Sequence, residues 1–375
     1  MSFGRYDLYN GNRLKLGLFG ANCSSGRAAT TVPERWSGSW EDNLAAAQMA
    51  DAAGIDFMLP IGRWRGYGGI TNFEGATLET VTWAPGLLAQ TKQMSIFGTV
   101  HAPLFHPIVA AKQFVTADLV GRGRFGLNLV CGWNQDEFTM FGVEQREHDR
   151  RYAYGADWLS IVMRLWTESE PFDLQSEFFN VQGVVGDPKP YGGQRPIVMN
   201  AGASPVGREF GISNCDMIFI PLNDIAEGAK DVATAEARGR ELGKQMRVCA
   251  NGFIVCRPTK REAEDYLQYY SQDNADWDAV DHLMQLNGTY ARTYATDHFV
   301  KFRSRWAAGH GGYPVVGGPD EVAAELIRIA EAGFFGFCFS FVNYRDEFPF
   351  FRDEVLPRLV KAGVRTEYVE DGALI

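Results

Sequence analysis

Few side chains in this sequence are suited to acid–base chemistry of their own, and those few stand at the ends of short apolar runs. Residues 121–142, GRGRFGLNLVCGWNQDEFTMFG, place Asn128 inside what otherwise reads as a buried strand, followed by Cys131, Gly132, Trp133 and Asn134. A carboxamide presents a donor and an acceptor without charge, which suits the edge of a heterocycle. His101 and His106 follow Thr99 and stand five residues apart, with no Asp or Glu among their immediate neighbours. Imidazole titrates near neutral pH, so either histidine could give or take a proton. Without a nearby carboxylate the pair does not make a metal site, and no metal is expected.

Other catalytic arrangements are missing from the pattern. No strand end carries a carboxylate pair or a lysine placed for a Schiff base, and no G-x-S-x-G elbow occurs. In its place stands GASPVG, with Ser204 at an expected helix start. Gly202, Ser204 and Gly207 would offer free N–H groups and the positive end of a helix dipole to a phosphate. A plain N-cap is the competing reading. Arg151 and Tyr152, opening the preceding helix, add a cation and a hydroxyl. Taken together, these residues fit a phosphorylated cofactor that carries the hard chemistry while the protein orients it.

The elements that must position these groups alternate. Apolar runs at 14–19, 55–60, 94–99, 125–130, 196–200, 216–221, 247–255 and 335–341 read as strands buried on both faces. Helices are expected at 40–53, 107–119, 152–166, 319–332 and 346–362, several bounded by Pro at the start or Gly at the end. Eight such units match a (β/α)8 TIM barrel, whose chemistry lies at the C-terminal ends of the strands. A doubly wound sheet is the alternative, but no G-x-G-x-x-G follows the first strand. Residues 168–195 and 273–318 exceed ordinary connections and read as excursion or lid segments of one domain spanning 1–375.

Composition narrows the partners. With 36 basic and 46 acidic residues the net charge is −10, which disfavours nucleic acid. The six cysteines form no C-x-x-C pair and sit in apolar runs, so buried free thiols are expected. No apolar stretch approaches the ~20 residues of a membrane span, and the N-terminus lacks a signal pattern. A cytoplasmic enzyme acting on a small molecule is the expectation.

Five stretches carry a family resemblance: GIDFMLPIGRWRGYGG, GRGRFGLNLVCGWNQDEFTMFG, RRYAYGADWL, KPYGGQRPIVMNAGAS and GFFGFCFSFVNYRDEFPFF. They make the chain similar to the bacterial luciferase-like flavin-dependent monooxygenases, most of all the pyrimidine oxygenase and dimethylsulfone monooxygenase branch. The resemblance implies a barrel that binds reduced FMN from a separate NAD(P)H:flavin reductase. It further implies O2 as co-substrate, often C–N or C–S bond cleavage, and a homodimer or homotetramer. Position by position, Asn128 and Thr99 match ring contacts near the edge where oxygen adds. Gly62 and Arg63 fall at ring-contacting positions, and Glu137 matches a cofactor-contacting glutamate. Arg151, Tyr152 and Ser204 match the phosphate side.

His101, Phe105 and His106 replace the small residues of the pyrimidine branch, and the GANCSSGR run and Trp64 also depart from it. The substrate therefore does not carry over. Trp64, Tyr67, Phe105 and Trp133 are candidate substrate contacts, and His101 and His106 candidate catalytic groups. Against these stand packing at an aromatic rim for Trp133, a surface charge for Arg63 and a small buried thiol for Cys131. Rival functions are a deazaflavin (F420)-dependent oxidoreductase, a non-catalytic flavin-binding protein and a flavin-free hydrolase.

Overall fold

A computed structural model describes residues 4–288 and 296–369; the ends of the expected 1–375 domain and residues 289–295 of the 273–318 excursion lie outside it. The strands are β1 (Lys15–Phe19), β2 (Phe57–Leu59), β3 (Ser95–His101), β4 (Phe125–Val130), β5 (Phe172–Gln175), β6 (Asn180–Val184), β7 (Ile197–Asn200), β8 (Met217–Ile220), β9 (Arg247–Cys256), β10 (Tyr313–Gly317) and β11 (Gly336–Ser340). Eight of them close into a parallel barrel in the order β9-β11-β1-β2-β3-β4-β7-β8, with β8 returning to β9. The expected barrel is therefore present.

The helices in chain order are α1 (Trp40–Ala52), α2 (Thr80–Leu88), α3 (Pro107–Val120), α4 (Gln135–Met140), α5 (His148–Thr167), α6 (Pro205–Asn214), α7 (Ile225–Glu241), α8 (Lys260–Gln268), α9 (Trp277–Leu286), α10 (Thr296–Gly309), α11 (Pro319–Glu331), α12 (Tyr344–Phe350) and α13 (Leu356–Lys361). Most of the buried apolar side chains lie between the strands and these helices. A second cluster fills the barrel itself, with Phe19, Phe57, Phe97, Met199, Met217 and Phe219 among its members. Inside the barrel, large side chains face glycines: a Cβ on Gly17 would come within 2.5 Å of the Phe57 ring, and one on Gly126 equally close to Phe97. Adding a methyl group at either position would overpack the interior.

Strand parity places the chemistry. Side chains two apart share a face, so β3 sends Phe97, Thr99 and His101 inward at successive heights. In the register Thr99 pairs with Asn128 and His101 with Val130. Thr99 and His101 thus come to the mouth of the barrel above its packed interior.

The excursions hold more regular structure than expected. Within 168–195, β5 and β6 form an antiparallel hairpin. The 273–318 segment contains α9, α10 and β10, which adds to the upper half of β9. α9 and α10 pack on the loop after β2 through Tyr67, Phe73, Val280, Leu283 and Ala307. Asp276 accepts from both the backbone N–H and the hydroxyl of Thr71 at 2.7 Å. The final helix begins two residues early, capped by Asn343, and loosens into a π turn at Phe351–Val355 before α13. All six cysteines are buried and free. No helix among the described residues is long and apolar enough to cross a membrane.

Candidate active site

The mouth of the barrel is organised by a short polar chain. Asn128 Nδ2 donates to Thr99 Oγ1 at 3.1 Å, and Thr99 Oγ1 donates to the Pro60 carbonyl at 2.7 Å. A carbonyl only accepts, so the threonine proton must point at Pro60 and its oxygen must accept from the amide. This fixes which way the amide of Asn128 faces. Its Oδ1 is buried and has no partner among the described residues. The backbone of Thr99 is held by Thr80, whose hydroxyl donates to the Thr99 carbonyl at 2.6 Å and accepts from the Thr99 N–H at 3.1 Å. Gly62 closes over this pair: a Cβ there would lie 3.2 Å from the Thr99 carbonyl oxygen and 3.8 Å from His101 Cε1.

Beside it lies a buried charge cluster. Arg63 Nη1 donates to Glu137 Oε1 at 2.9 Å, and Arg63 Nε approaches Glu74 Oε2 at 3.3 Å. Glu137 Oε1 also accepts from the Trp64 N–H at 2.8 Å and, more weakly, from the Arg65 N–H at 3.4 Å. The other oxygen of Glu74 meets His310 Nδ1 at 3.1 Å. Arg27, also buried, lies over the Phe19 ring at 4.3 Å. The surface-charge reading of Arg63 is overturned, because its guanidinium stays buried to meet two carboxylates. Both carboxylates come from the segments that connect the strands, Glu74 from the loop after β2 and Glu137 from α4.

Electrostatics sharpen the roles. Burial pushes His101 down to about 4, with Glu137 opposing and Arg63 assisting the fall. Burial, with help from Arg27, likewise takes His310 to about 4 against the pull of Glu74. Burial alone would raise Glu74, but His310, Arg63 and Arg27 bring it down to about 2. Two guanidiniums therefore balance two carboxylates, and both histidines are neutral at neutral pH.

The two histidines part company. His101 is buried, with Nδ1 3.5 Å from Glu137 Oε2. His106 is exposed and caps α3, its ring nitrogen facing the Ile108 N–H at 3.4 Å. A capping role leaves His106 outside the cluster, and of the two candidate catalytic histidines His101 is the one that meets it. Among the aromatic candidates, Trp64 lies between Phe105 at 6.3 Å and Phe141 at 5.1 Å. Tyr67 and Trp133 both stack near the Arg63 guanidinium, at 4.7 and 5.3 Å. Burial holds the Tyr67 hydroxyl in its neutral form, and that hydroxyl has no partner among the described residues.

The phosphate-side candidates converge as well. Ser204 caps α6 by accepting from the Gly207 N–H at 3.1 Å. Gly202 and Gly207 pack backbone to backbone, a Cβ on Gly202 coming within 2.8 Å of Gly207 Cα. The Tyr152 hydroxyl reaches Ser204. Arg151 Nη1 donates to the Gly132 carbonyl at 2.8 Å, leaving its Nε buried and, among the described residues, unpartnered. Asn200 fixes the turn, donating to the Leu129 carbonyl at 2.7 Å and accepting from the Gly202 N–H at 2.9 Å.

Sequence reasoning missed Glu74, Arg27, His310 and Thr80. Local sequence pattern gives no signal for them; in the structure Glu74 and His310 take the uncommon positive φ of 55° and 53°. A cavity of about 300 Å³ lies away from these groups, lined by Cys256, Arg257, Tyr266, Asn343 and Glu347. Its polar groups are already paired, with Arg257 on Glu347 at 2.8 Å, so the chemistry is assigned to the barrel mouth.

A closed parallel barrel with this mouth defines an enzyme of the luciferase-like class. Residues 15–335 match the luciferase-like monooxygenase family, and the chain belongs to it. It is 26% identical over 357 residues to an FMNH2-dependent dimethylsulfone monooxygenase of Pseudomonas fluorescens, covering 92% of this chain and 94% of that protein. Over 324 residues it is 28% identical to the pyrimidine monooxygenase RutA of Acinetobacter baylyi, covering 85% of this chain and 87% of that protein. The crystal structure of DmoA from Hyphomicrobium sulfonivorans superposes with a TM-score of 0.85 at 19% identity, covering 96% of this chain and 91% of that one. That last likeness is one of fold.

Proposed function

We propose that this protein is the oxygenase of a two-component system. It takes reduced FMN from a separate NAD(P)H:flavin reductase and uses O2 to oxygenate a small polar organic molecule. The observation that carries this reading is the unpartnered Asn128 Oδ1, buried at the barrel mouth and aimed by Thr99 and Pro60. A buried acceptor without a partner costs about 1–3 kcal/mol, and an N–H on the edge of a reduced flavin ring satisfies it. The dimethylsulfone relative, FMNH2-dependent by name, supports the cofactor. The sulfone and pyrimidine substrates of the relatives support C–S or C–N bond cleavage.

The residues present fit the group. Asn128, Thr99 and Gly62 would hold the ring edge, and Ser204, Tyr152 and Arg151 the phosphate. Reduced FMN, when bound, supplies two electrons to O2, so that one oxygen atom enters the substrate and the other leaves as water. The protein's part is orientation by fixed donors and acceptors and exclusion of water. α9 and α10, packed on the loop after β2, cover the mouth on that side. Trp64, Phe105 and Trp133 wall the space beside the ring where a substrate sits.

The test is rapid mixing of the anaerobic protein–reduced FMN complex with dissolved O2, following flavin absorbance. A spectral species that outlives any formed by free reduced FMN is the expected result. Oxidation indistinguishable from free reduced FMN would remove the monooxygenase reading and leave hydride transfer or simple binding.

A further inference from the structure

Glu137 Oε2 is buried and among the described residues has no hydrogen-bond partner, yet His101 Nδ1 stands 3.5 Å from it. The other oxygen of the same carboxylate is saturated by N–H donors from Arg63, Trp64 and Arg65. The carboxylate therefore cannot rotate to exchange its oxygens without breaking the bonds that fix the loop after β2. Arg63 is itself held from behind by Glu74, and Glu74 by His310. A fixed carboxylate oxygen facing one nitrogen of a neutral imidazole selects the tautomer with the proton on that nitrogen.

We propose that Glu137 is a positioning residue for His101: it holds the ring as the Nδ1–H tautomer, leaving the Nε2 lone pair as a proton acceptor at the barrel mouth. The ring is placed for this role. His101 lies two residues beyond Thr99 on the same face of β3, and its Cε1 borders Gly62. The arrangement is that of a carboxylate orienting a histidine base. It deepens the monooxygenase reading and rests on it for what the base acts upon: an acidic N–H or O–H of the bound substrate, whose proton passes to Nε2. Glu137 thereby stabilises the imidazolium that forms.

The geometry supplies its own test. In Glu137→Gln, the three N–H donors around Oε1 keep the amide oxygen at that position. The amide NH2 must then face His101 Nδ1 as a donor, and the ring must switch to the Nε2–H tautomer. Histidine-labelled 15N NMR of the flavin-free protein, with the His101 signal assigned by its loss in His101→Asn, reads this directly. The expected result is Nδ1–H in the wild type and Nε2–H in E137Q. An Nε2–H wild type, or an unchanged tautomer in E137Q, would overturn the proposal. If E137Q does not fold, the wild-type tautomer alone decides. Because no flavin is present, this outcome is independent of whether the protein is a monooxygenase.

The loaded enzyme gives the second readout. With an oxidisable substrate, E137Q should lower the rate of oxygenation by about 10²-fold or more, while reduced FMN affinity stays within about threefold, a shift smaller than one hydrogen bond is worth. A switched tautomer with full oxygenation rate would show that Nε2 takes no proton and would sink the acceptor role. A large loss of FMN affinity would return Glu137 to the cofactor and sink it too.

Discussion

Thr99 and Asn128 stand side by side on adjacent strands, and the threonine hydroxyl, committed to the Pro60 carbonyl, decides which face the asparagine amide shows to the barrel mouth. One backbone acceptor thus sets the polarity of the proposed cofactor contact two hydrogen bonds away. The relationship separates two effects that substitution usually mixes, binding and folding.

Asn128→Ala removes an acceptor that has no partner in the flavin-free protein. Reduced FMN affinity should fall by roughly tenfold or more, the worth of one buried hydrogen bond of about 1–3 kcal/mol, while urea stability changes little. Thr99→Val should instead cost stability, because it strands both the Pro60 carbonyl and the Asn128 amide, and Thr99→Ser should restore most of it. Anaerobic titration with reduced FMN, set beside urea unfolding of the same three variants, checks this. Equal loss of stability in Asn128→Ala and Thr99→Val would contradict the assigned polarity.

The Arg63 cluster predicts a large stability effect. Removing one partner of a buried ion pair leaves the other charge uncompensated, at a cost of about 3–5 kcal/mol. Arg63→Met would leave Glu74 and Glu137 buried without the guanidinium they share, with only His310 and the backbone N–H groups of Trp64 and Arg65 still bonded to them, and should lower the urea midpoint strongly. Adding Glu74→Gln and Glu137→Gln to it should recover much of the loss, since neutral amides avoid the charge penalty. A triple variant no more stable than Arg63→Met would show that packing against Tyr67 and Trp133, not charge, is what Arg63 supplies.

Much of this architecture could be read from composition along the chain. The runs that became β4 and β9 are near-continuous in apolar residues, as strands covered on both faces must be, and β4 coincides with its expected bounds. The β10 strand was hidden because Pro314 sits inside it and proline within a sheet is largely confined to edge strands, of which β10, paired only with β9 among the described strands, is one. Thr99, His101 and Asn128 were legible because parity along a strand is a local property. The Arg63 cluster was not: Glu74 and Glu137 lie 11 and 74 residues from Arg63, and His310 lies 236 from Glu74. No local pattern announces a pairing made only by closure of the barrel. His106 shows the converse, since the turn into α3 carries it away from His101 despite their closeness in sequence.

Acidification should weaken the fold in a defined window. His101 and His310 each have a pKa near 4 in the folded protein against 6.5 when free. Between those values the unfolded chain binds more protons, so stability falls as pH drops from about 6.5 to 4. The full effect is on the order of 3 kcal/mol per histidine. Glu74, held down to about 2 against 4.5, adds a further loss only below pH 4.5. Urea midpoints measured from pH 7 to 4 should decline, and His101→Gln should flatten the decline by about half. A flat wild-type profile over that range would mean that neither histidine is buried neutral.

The phosphate assignment makes a prediction that no ring contact can imitate. Ser204 at the start of α6, with Tyr152 and Arg151 beside it, would contact the phosphate of FMN and nothing of riboflavin. An anion at a helix start gains about 0.3–2 kcal/mol from the dipole, and a charged hydrogen bond adds about 1.5–3 kcal/mol. The native protein should therefore bind reduced FMN at least about tenfold more tightly than reduced riboflavin. Arg151→Gln should narrow that ratio by weakening FMN alone. Ser204→Ala should narrow it less, because its hydroxyl already serves the Gly207 N–H and its loss costs helix stability as well. If Arg151→Gln weakened both ligands equally, its role would lie with the ring side of the site, through the Gly132 carbonyl it holds, and the phosphate would have to be sought elsewhere along the barrel rim.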